Sequence, residues 1–155
     1  MIEVLPGLFV GSETDEQAIR GQEHWYVISA AKEPYHRQTL HYVGRSAPKD
    51  DPEYLIAYRD GRLILNLVDV PDPKYISEEV INAALEAIEL NRGSKYDVLV
   101  HCNQGHSRGP TIAFLYMHKV GALPDDFELA LEHFATIYTD FAPATGMLEY
   151  ARAHW

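Results

Sequence analysis

The chain has 155 residues, 46% of them hydrophobic, which suits one domain with a sizeable core and excludes a disordered segment. Its apolar runs, such as "VLV" and "IAFLYM", are far shorter than the roughly 20 residues of a membrane span, and "MIEVLPGLFVG" lacks the basic flank and long apolar stretch of a signal peptide. Twenty-three acidic residues against 13 basic ones give a formal net charge of −10, a surface that repels nucleic acid and anionic lipid, while a single cysteine excludes internal disulfides and multi-cysteine zinc sites and suits a reducing cytosol.

In chain order, "IEVLPGLFVG" predicts two short strands around a Pro-Gly turn. "SETDEQAIR" predicts a short helix with Ser12 as N-cap and acidic residues in its first turn. "WYVISA" and "RLILNLVD" predict buried strands, separated by a surface loop that includes "GRSAPKDDPEY". "ISEEVINAALEAIELNRG" sets Ile76, Val80, Ala84 and Ile88 at helical spacing, with Ser77 as cap and Gly93 as stop. "YDVLVH" predicts a further buried strand, and "GPTIAFLYMHKVG" an apolar helix with Pro110 near its start. "PDDFELALEHFATIY" and "TGMLEYARAHW" complete the helices. Strands alternating with helices predict one α/β domain over residues 1–155, a sheet covered by helices.

The chemistry concentrates in "VLVHCNQGHSRGPTIAFLYM". A strand ends at His101, a loop runs from Cys102 to Arg108, and a helix follows. Amides at a helix N-terminus are unpaired and, with the helix dipole, attract an anion. Gly105 and Gly109 permit backbone angles at which successive amides converge. The same field favours a thiolate at Cys102, and the planar fork of Arg108 suits two phosphate oxygens. The segment therefore reads as a phosphate-binding loop, Asn103, Gln104, Gly105, His106, Ser107 and Arg108, around an attacking cysteine. It is not a nucleotide P-loop, since GxxxxGK[ST] is absent.

"HCNQGHSRGP" resembles the His-Cys-five-residues-Arg signature of the cysteine-dependent protein tyrosine phosphatase superfamily, and its "HCxxGxSR" form is most similar to the dual-specificity branch. "VLPGLFVGS", "YVISAAKE", "LNLVD" and "PATGMLEYA" resemble further segments of that branch, in its order. The resemblance implies a central, mostly parallel sheet of about five strands flanked by helices. It also implies metal- and cofactor-free hydrolysis through a phosphocysteine. His101 would orient the loop, and an aspartate would protonate the leaving group. Asp69 and Asp72 both qualify; Asp69, directly after its strand, is the preferred acid and Asp72 a supporting residue. Where the family carries Ser or Thr after the arginine, this chain has Gly109, which removes a hydroxyl that assists departure of the sulfur; Ser107, one residue early, is the nearest substitute.

Each of these residues also has an ordinary reading. A lone cysteine after an apolar strand is commonly inert core, Arg108 can be a surface ion pair, His106 a solvated histidine, and "DVPDP" a run of turn formers. His36 and His41 have poor metal-ligand spacing, so no metal site is expected. Trp25, Tyr26, Phe114, Tyr116, Phe134 and Tyr138 read as packing. The expected partner is a phosphorylated protein or a small phosphate ester, handled by a cytoplasmic monomer without nucleic acid or membrane. The alternatives are a low-turnover phosphate-binding module, or a phosphatase for RNA 5′-phosphate or phosphoinositide.

Overall fold

The computed structural model describes residues 1–155. Strands β1 (Ile2–Leu5) and β2 (Leu8–Gly11) form a hairpin through Pro6 and Gly7. Gly7 has a φ of 74°, the left-handed conformation that the third residue of a Pro-Gly turn requires. Helix α1 (Glu13–Ile19) follows, with Ser12 and Asp15 closing a capping box. Then come β3 (Trp25–Ser29), a helical turn at Lys32–His36 that continues into α2 (Arg37–Leu40), β4 (Ile56–Arg59) and β5 (Arg62–Leu65). Helix α3 (Glu78–Asn91) has Ser77 as N-cap. Strand β6 (Asp97–His101) precedes α4 (Arg108–Lys119), α5 (Phe127–Ile137) and α6 (Thr145–Ala153).

The sheet has six strands in the order β1-β2-β6-β3-β5-β4, one more than expected. The β2–β6, β6–β3 and β3–β5 pairings are parallel, and the two edge pairings are antiparallel. The additional strand is β4, which pairs with β5 across Asp60-Gly61. Gly61 has a φ of 65°, and an Asp-Gly pair between strand-forming residues is a strong hairpin signal. Strand β5 stops at Leu65, short of the predicted Asp69. Beyond it Asn66 bonds instead to Tyr54 and Leu55, and Leu67 accepts from the Lys32 amide. The segment that carries Asp69 therefore leaves the sheet plane.

Alternation along the strands builds two cores of unequal size. Val98, Val100, Ile28, Leu63 and Leu65 face α3 to α6 and join the main cluster with Phe114, Tyr116 and Phe134. Leu99 and Val27 face the other way, against Ile19 of α1. Ile64 packs there with Ala31 and Tyr35. His101, Ser29 and Arg62 share the parity of Leu99, Val27 and Ile64, which places them on the thinly covered α1 face. The register sets Ser29 beside His101 and Val27 beside Arg62. No helix is long and apolar enough to cross a membrane.

Candidate active site

Four parallel strands deliver their C-terminal ends to one edge, the usual location of a site in such a sheet. There β6 hands over to the loop, and α4 begins at its far side. The α4 N-cap, Ser107, makes no capping bond to the helix. None of the backbone N–H groups of Asn103, Gln104, Gly105, His106 and Ser107 donates a hydrogen bond within the protein. A run of five unpaired amides beside a helix N-terminus is the kind of backbone that suits an anion. Gly105 has a φ of 77°, and a Cβ there would meet the Gly11 carbonyl at 3.0 Å and the Tyr138 hydroxyl at 3.1 Å. Glycine is thus required on both conformational and steric grounds.

Cys102 lies buried at the loop's base, 2% exposed. A cavity of about 220 Å³ is lined by Asp69, Cys102, Asn103, Gln104, His106, Ser107 and Arg108. The structure thus gathers Asp69, the cysteine and the arginine around one space. A larger groove of about 430 Å³ lies at the opposite end of the strands, against Trp25, Arg62 and Tyr96, away from the cysteine.

Arg108 is held in place by two bonds, from one terminal nitrogen to Leu67 O at 3.0 Å and from the other to Asn103 Oδ1 at 2.6 Å. Its Nε is buried and has no partner. Such an orphaned charged donor is costly unless an anion meets it. Asn103 is in turn fixed through Nδ2, which donates to Glu13 Oε2 at 3.1 Å and Glu33 O at 2.8 Å.

The two aspartates have different surroundings. Asp69 Oδ1 accepts from Ser107 Oγ at 3.0 Å, which joins the loop that carries Asp69 to the cysteine loop; Oδ2 carries no hydrogen bond. Asp72 instead accepts from the Lys74 amide at 3.0 Å as cap of the short helical turn Pro73–Tyr75, and pairs with Lys74 Nζ at 3.3 Å. It does not line the cavity. Ser107 is no stand-in for a hydroxyl at the sulfur. Its Oγ serves Asp69 and accepts from Ala144 N at 2.9 Å, and no side chain donates to Cys102 Sγ.

A strap over the loop is not legible in the sequence. Tyr138 donates to Gly105 O at 2.7 Å, His106 Nδ1 bonds Asp140 O at 3.0 Å, and Ala142 N donates to His106 O at 2.9 Å. His106 lines the cavity and is anchored by its ring to the segment between α5 and α6. Tyr138 sits at an ordinary helix-end core position, so only the fold reveals its hydroxyl's destination. At the other end of that segment α6 presses on the Asp69 loop: a Cβ on Gly146 would collide with the Val70 carbonyl.

Beneath the loop, His101 is fully buried. Its Nε2 bonds Ser29 Oγ at 2.8 Å and its Nδ1 bonds Cys102 O at 3.3 Å. Burial pulls its pKa down to about 4, although the fields of Glu16 and the Cys102 carbonyl act upward. It is therefore neutral at physiological pH. Glu16, also fully buried, would be raised by burial, but hydrogen bonds from Arg20 and Arg62 outweigh this and hold its carboxyl at about 2. Both shifts are downward, so in each case the unfolded chain takes up a proton before the folded one. The His101 contribution to stability is whole above pH 6.5 and is lost as pH falls toward 4; that of Glu16 is whole above pH 4.5 and is lost toward 2. Each is on the order of 3 kcal/mol. We expect the urea midpoint to decline continuously from about neutrality into strong acid. A midpoint unchanged between about pH 7 and pH 4 would contradict this placement of His101.

No protein-family model and no curated protein matches the sequence. Solved structures do match over nearly the whole chain. DUSP15 superposes with a TM-score of 0.66 at 22% identity, over 99% of this chain and 85% of that one. The human tyrosine phosphatase-like serine/threonine/tyrosine-interacting protein gives 0.64 at 17%, over 98% and 93%. The PTP-2 phosphatase of Cydia pomonella gives 0.64 at 19%, over 98% and 88%. The chain has the fold of the dual-specificity-type cysteine phosphatases.

Proposed function

We propose that the protein is a cysteine-dependent phosphatase of dual-specificity type, hydrolysing phosphate monoesters through a phosphocysteine without metal or cofactor. The observation that carries this reading is one small cavity lined by Cys102, Arg108 and Asp69, in a loop whose five successive amides, like the buried Arg108 Nε, have no partner within the protein. The Cys102 thiolate attacks phosphorus as the ester oxygen departs. The amides and Arg108 hold the non-bridging oxygens, whose charge grows in the transition state. Asp69 gives its proton to the leaving oxygen, then accepts one from the water that cleaves the S–P bond. The Glu13 carboxylate beside the loop and the net charge of −10 disfavour polyanions such as RNA or phosphoinositides. A phosphotyrosine-bearing protein, or one bearing phosphoserine or phosphothreonine, fits best, in the reducing cytoplasm that suits a lone catalytic thiol.

Gly109 favours a slow second step. It supplies no hydroxyl to the sulfur, so the thiolate is a poorer leaving group. Rapid mixing with p-nitrophenyl phosphate is expected to show a burst of about one equivalent of nitrophenol, then a slower steady rate. No nitrophenol release at all would overturn the phosphatase reading. A single equivalent with no further turnover would favour the second reading, a phosphate-binding module. Release without a burst would mean that Gly109 has no kinetic consequence. Substituting serine is a poorer test, because a Cβ at Gly109 would meet the His101 carbonyl carbon at 3.1 Å and the Cys102 amide at 3.2 Å, and the strand end would have to yield.

A further inference from the structure

The start of α6 touches both loops of the site. Its N-cap residue, Ala144, donates its amide to Ser107 Oγ at 2.9 Å, and Ser107 Oγ donates to Asp69 Oδ1 at 3.0 Å. That is the only hydrogen bond the Asp69 carboxyl makes, although Val68 and Asp69 lie exposed on a segment without regular structure. In the first turn of the helix, buried Gly146 lies so near the Val70 carbonyl that a Cβ would overlap its oxygen. Gly146 has no positive φ, so its backbone conformation is open to any residue. Glycine also destabilises a helix relative to alanine. What requires glycine here is the close approach of the carbonyl. The helix is itself tied to the cysteine loop by the residues just before it: Tyr138 donates to Gly105 O at 2.7 Å, and Ala142 N donates to His106 O at 2.9 Å. The start of α6 is thus a fixed reference for both loops.

We propose that Ser107 and Gly146 are positioning residues that dock the Asp69 loop on the start of α6 and leave Asp69 Oδ2 as the oxygen that carries the transferable proton. The proton's role rests on the phosphatase reading; the docking does not. The directions of the bonds assign the oxygen. The Ala144 amide can only donate, so it uses a lone pair of Ser107 Oγ, and the Ser107 proton goes to Asp69 Oδ1. An Oδ1 that accepts this proton cannot present one of its own along the same line. In the protonated acid the proton therefore sits on Oδ2, which has no other partner and belongs to a side chain that lines the cavity. Transfer needs hydrogen-bond reach to the leaving oxygen. Gly146 sets the backbone of the acid loop through Val70, and Ser107 sets the carboxyl. An ester whose leaving group departs without a proton does not need that reach.

The quantity to measure is the ratio of kcat/KM for p-nitrophenyl phosphate to that for an alkyl phosphate. Gly146→Ala puts a methyl group where the Val70 carbonyl lies. Alanine favours the helix, so the exposed loop yields and Asp69 moves out of reach. Ser107→Ala removes the bond to the carboxyl and keeps the backbone. Each variant should raise the ratio roughly 10- to 100-fold, the scale of a misplaced catalytic group, through loss on the alkyl ester. In the Asp69→Asn background no proton is left to place, so neither substitution should raise the ratio further. A ratio that stays at the wild-type value in both variants would overturn the proposal, because Ser107 and Gly146 would then serve only the cysteine loop or the fold. So would a rise that persists in full in the Asp69→Asn background. If the wild-type chain hydrolyses neither ester, the phosphatase reading falls, and crystal structures of the phosphate-free wild type and of Ser107→Ala decide the docking. Asp69 held at Ser107 in the first and released in the second supports it. An acid loop swung away in the wild type, or unmoved in Ser107→Ala, overturns it.

Discussion

Asp69→Asn should lower kcat/KM for an alkyl phosphate by roughly 10²–10⁴-fold, the usual scale of general-acid catalysis. It should do much less to p-nitrophenyl phosphate, whose leaving group departs without a proton. Asp72→Asn should leave both substrates nearly unchanged. A carboxamide is close in shape to the carboxylate, and its oxygen can still accept from Ser107 Oγ as Asp69 Oδ1 does now. The variant at position 69 therefore removes the proton while keeping the tie between the two loops. Asp72 lies outside the cavity and caps the turn that follows. Asparagine caps as well as aspartate, so Asp72→Asn should keep the cap and lose only the exposed pair with Lys74, about 0–1 kcal/mol. Equal, small losses for both variants on the alkyl ester would show that the proton comes from elsewhere. Large losses on both substrates with Asp69→Asn would show that the residue matters for loop geometry and not as an acid.

Local signals in the sequence reach most of the architecture. The Ser12 and Ser77 caps, the Pro-Gly turn and the helical spacing of Val80, Ala84 and Ile88 are near-neighbour patterns, and each sits where its chemistry suggests, whereas Ile76, counted in that spacing, precedes the Ser77 cap and lies outside α3. The segment from Cys102 to Arg108 is legible for the same reason, because the loop and the start of its helix are contiguous. Strand β4 is harder to read, although Asp60-Gly61 announces the hairpin. "IAYR" alternates weakly, with Tyr58 and Arg59 exposed at the sheet edge. The illegible part consists of contacts between residues far apart in the chain. Tyr138 reaches Gly105, Asp69 reaches Ser107, and Arg62 joins Glu16 to Ser29. Glu16 and Arg20 stand four apart on a short acidic helix, which reads as a solvated pair. Only the parity of the strands, which puts Arg62 and His101 on the face α1 covers, turns that pair into the anchor of a buried network.

Cys102→Ser should abolish turnover, by at least ~10⁴-fold in kcat, and leave phosphate binding intact. The two side chains differ by one atom, and Cys102 is buried with no hydrogen-bonding partner for its sulfur, so the loop has no reason to rearrange. A serine hydroxyl there has no free base to take its proton: His101 Nε2 is occupied by Ser29 and its Nδ1 by the Cys102 carbonyl, and Asp69 must itself be protonated to serve the leaving oxygen. The oxygen nucleophile therefore stays protonated and unreactive. The free amides and the Arg108 guanidinium remain. In the proposed mechanism the attacking sulfur is a thiolate, and replacing it takes away a charge that opposes the phosphate, so inorganic phosphate or vanadate should bind at least as tightly as to the wild type. Calorimetric titration beside a hydrolysis assay measures both halves. Retained hydrolysis would identify a different nucleophile. Lost hydrolysis together with lost phosphate binding would mean that the sulfur holds the loop open, a structural role in place of a chemical one.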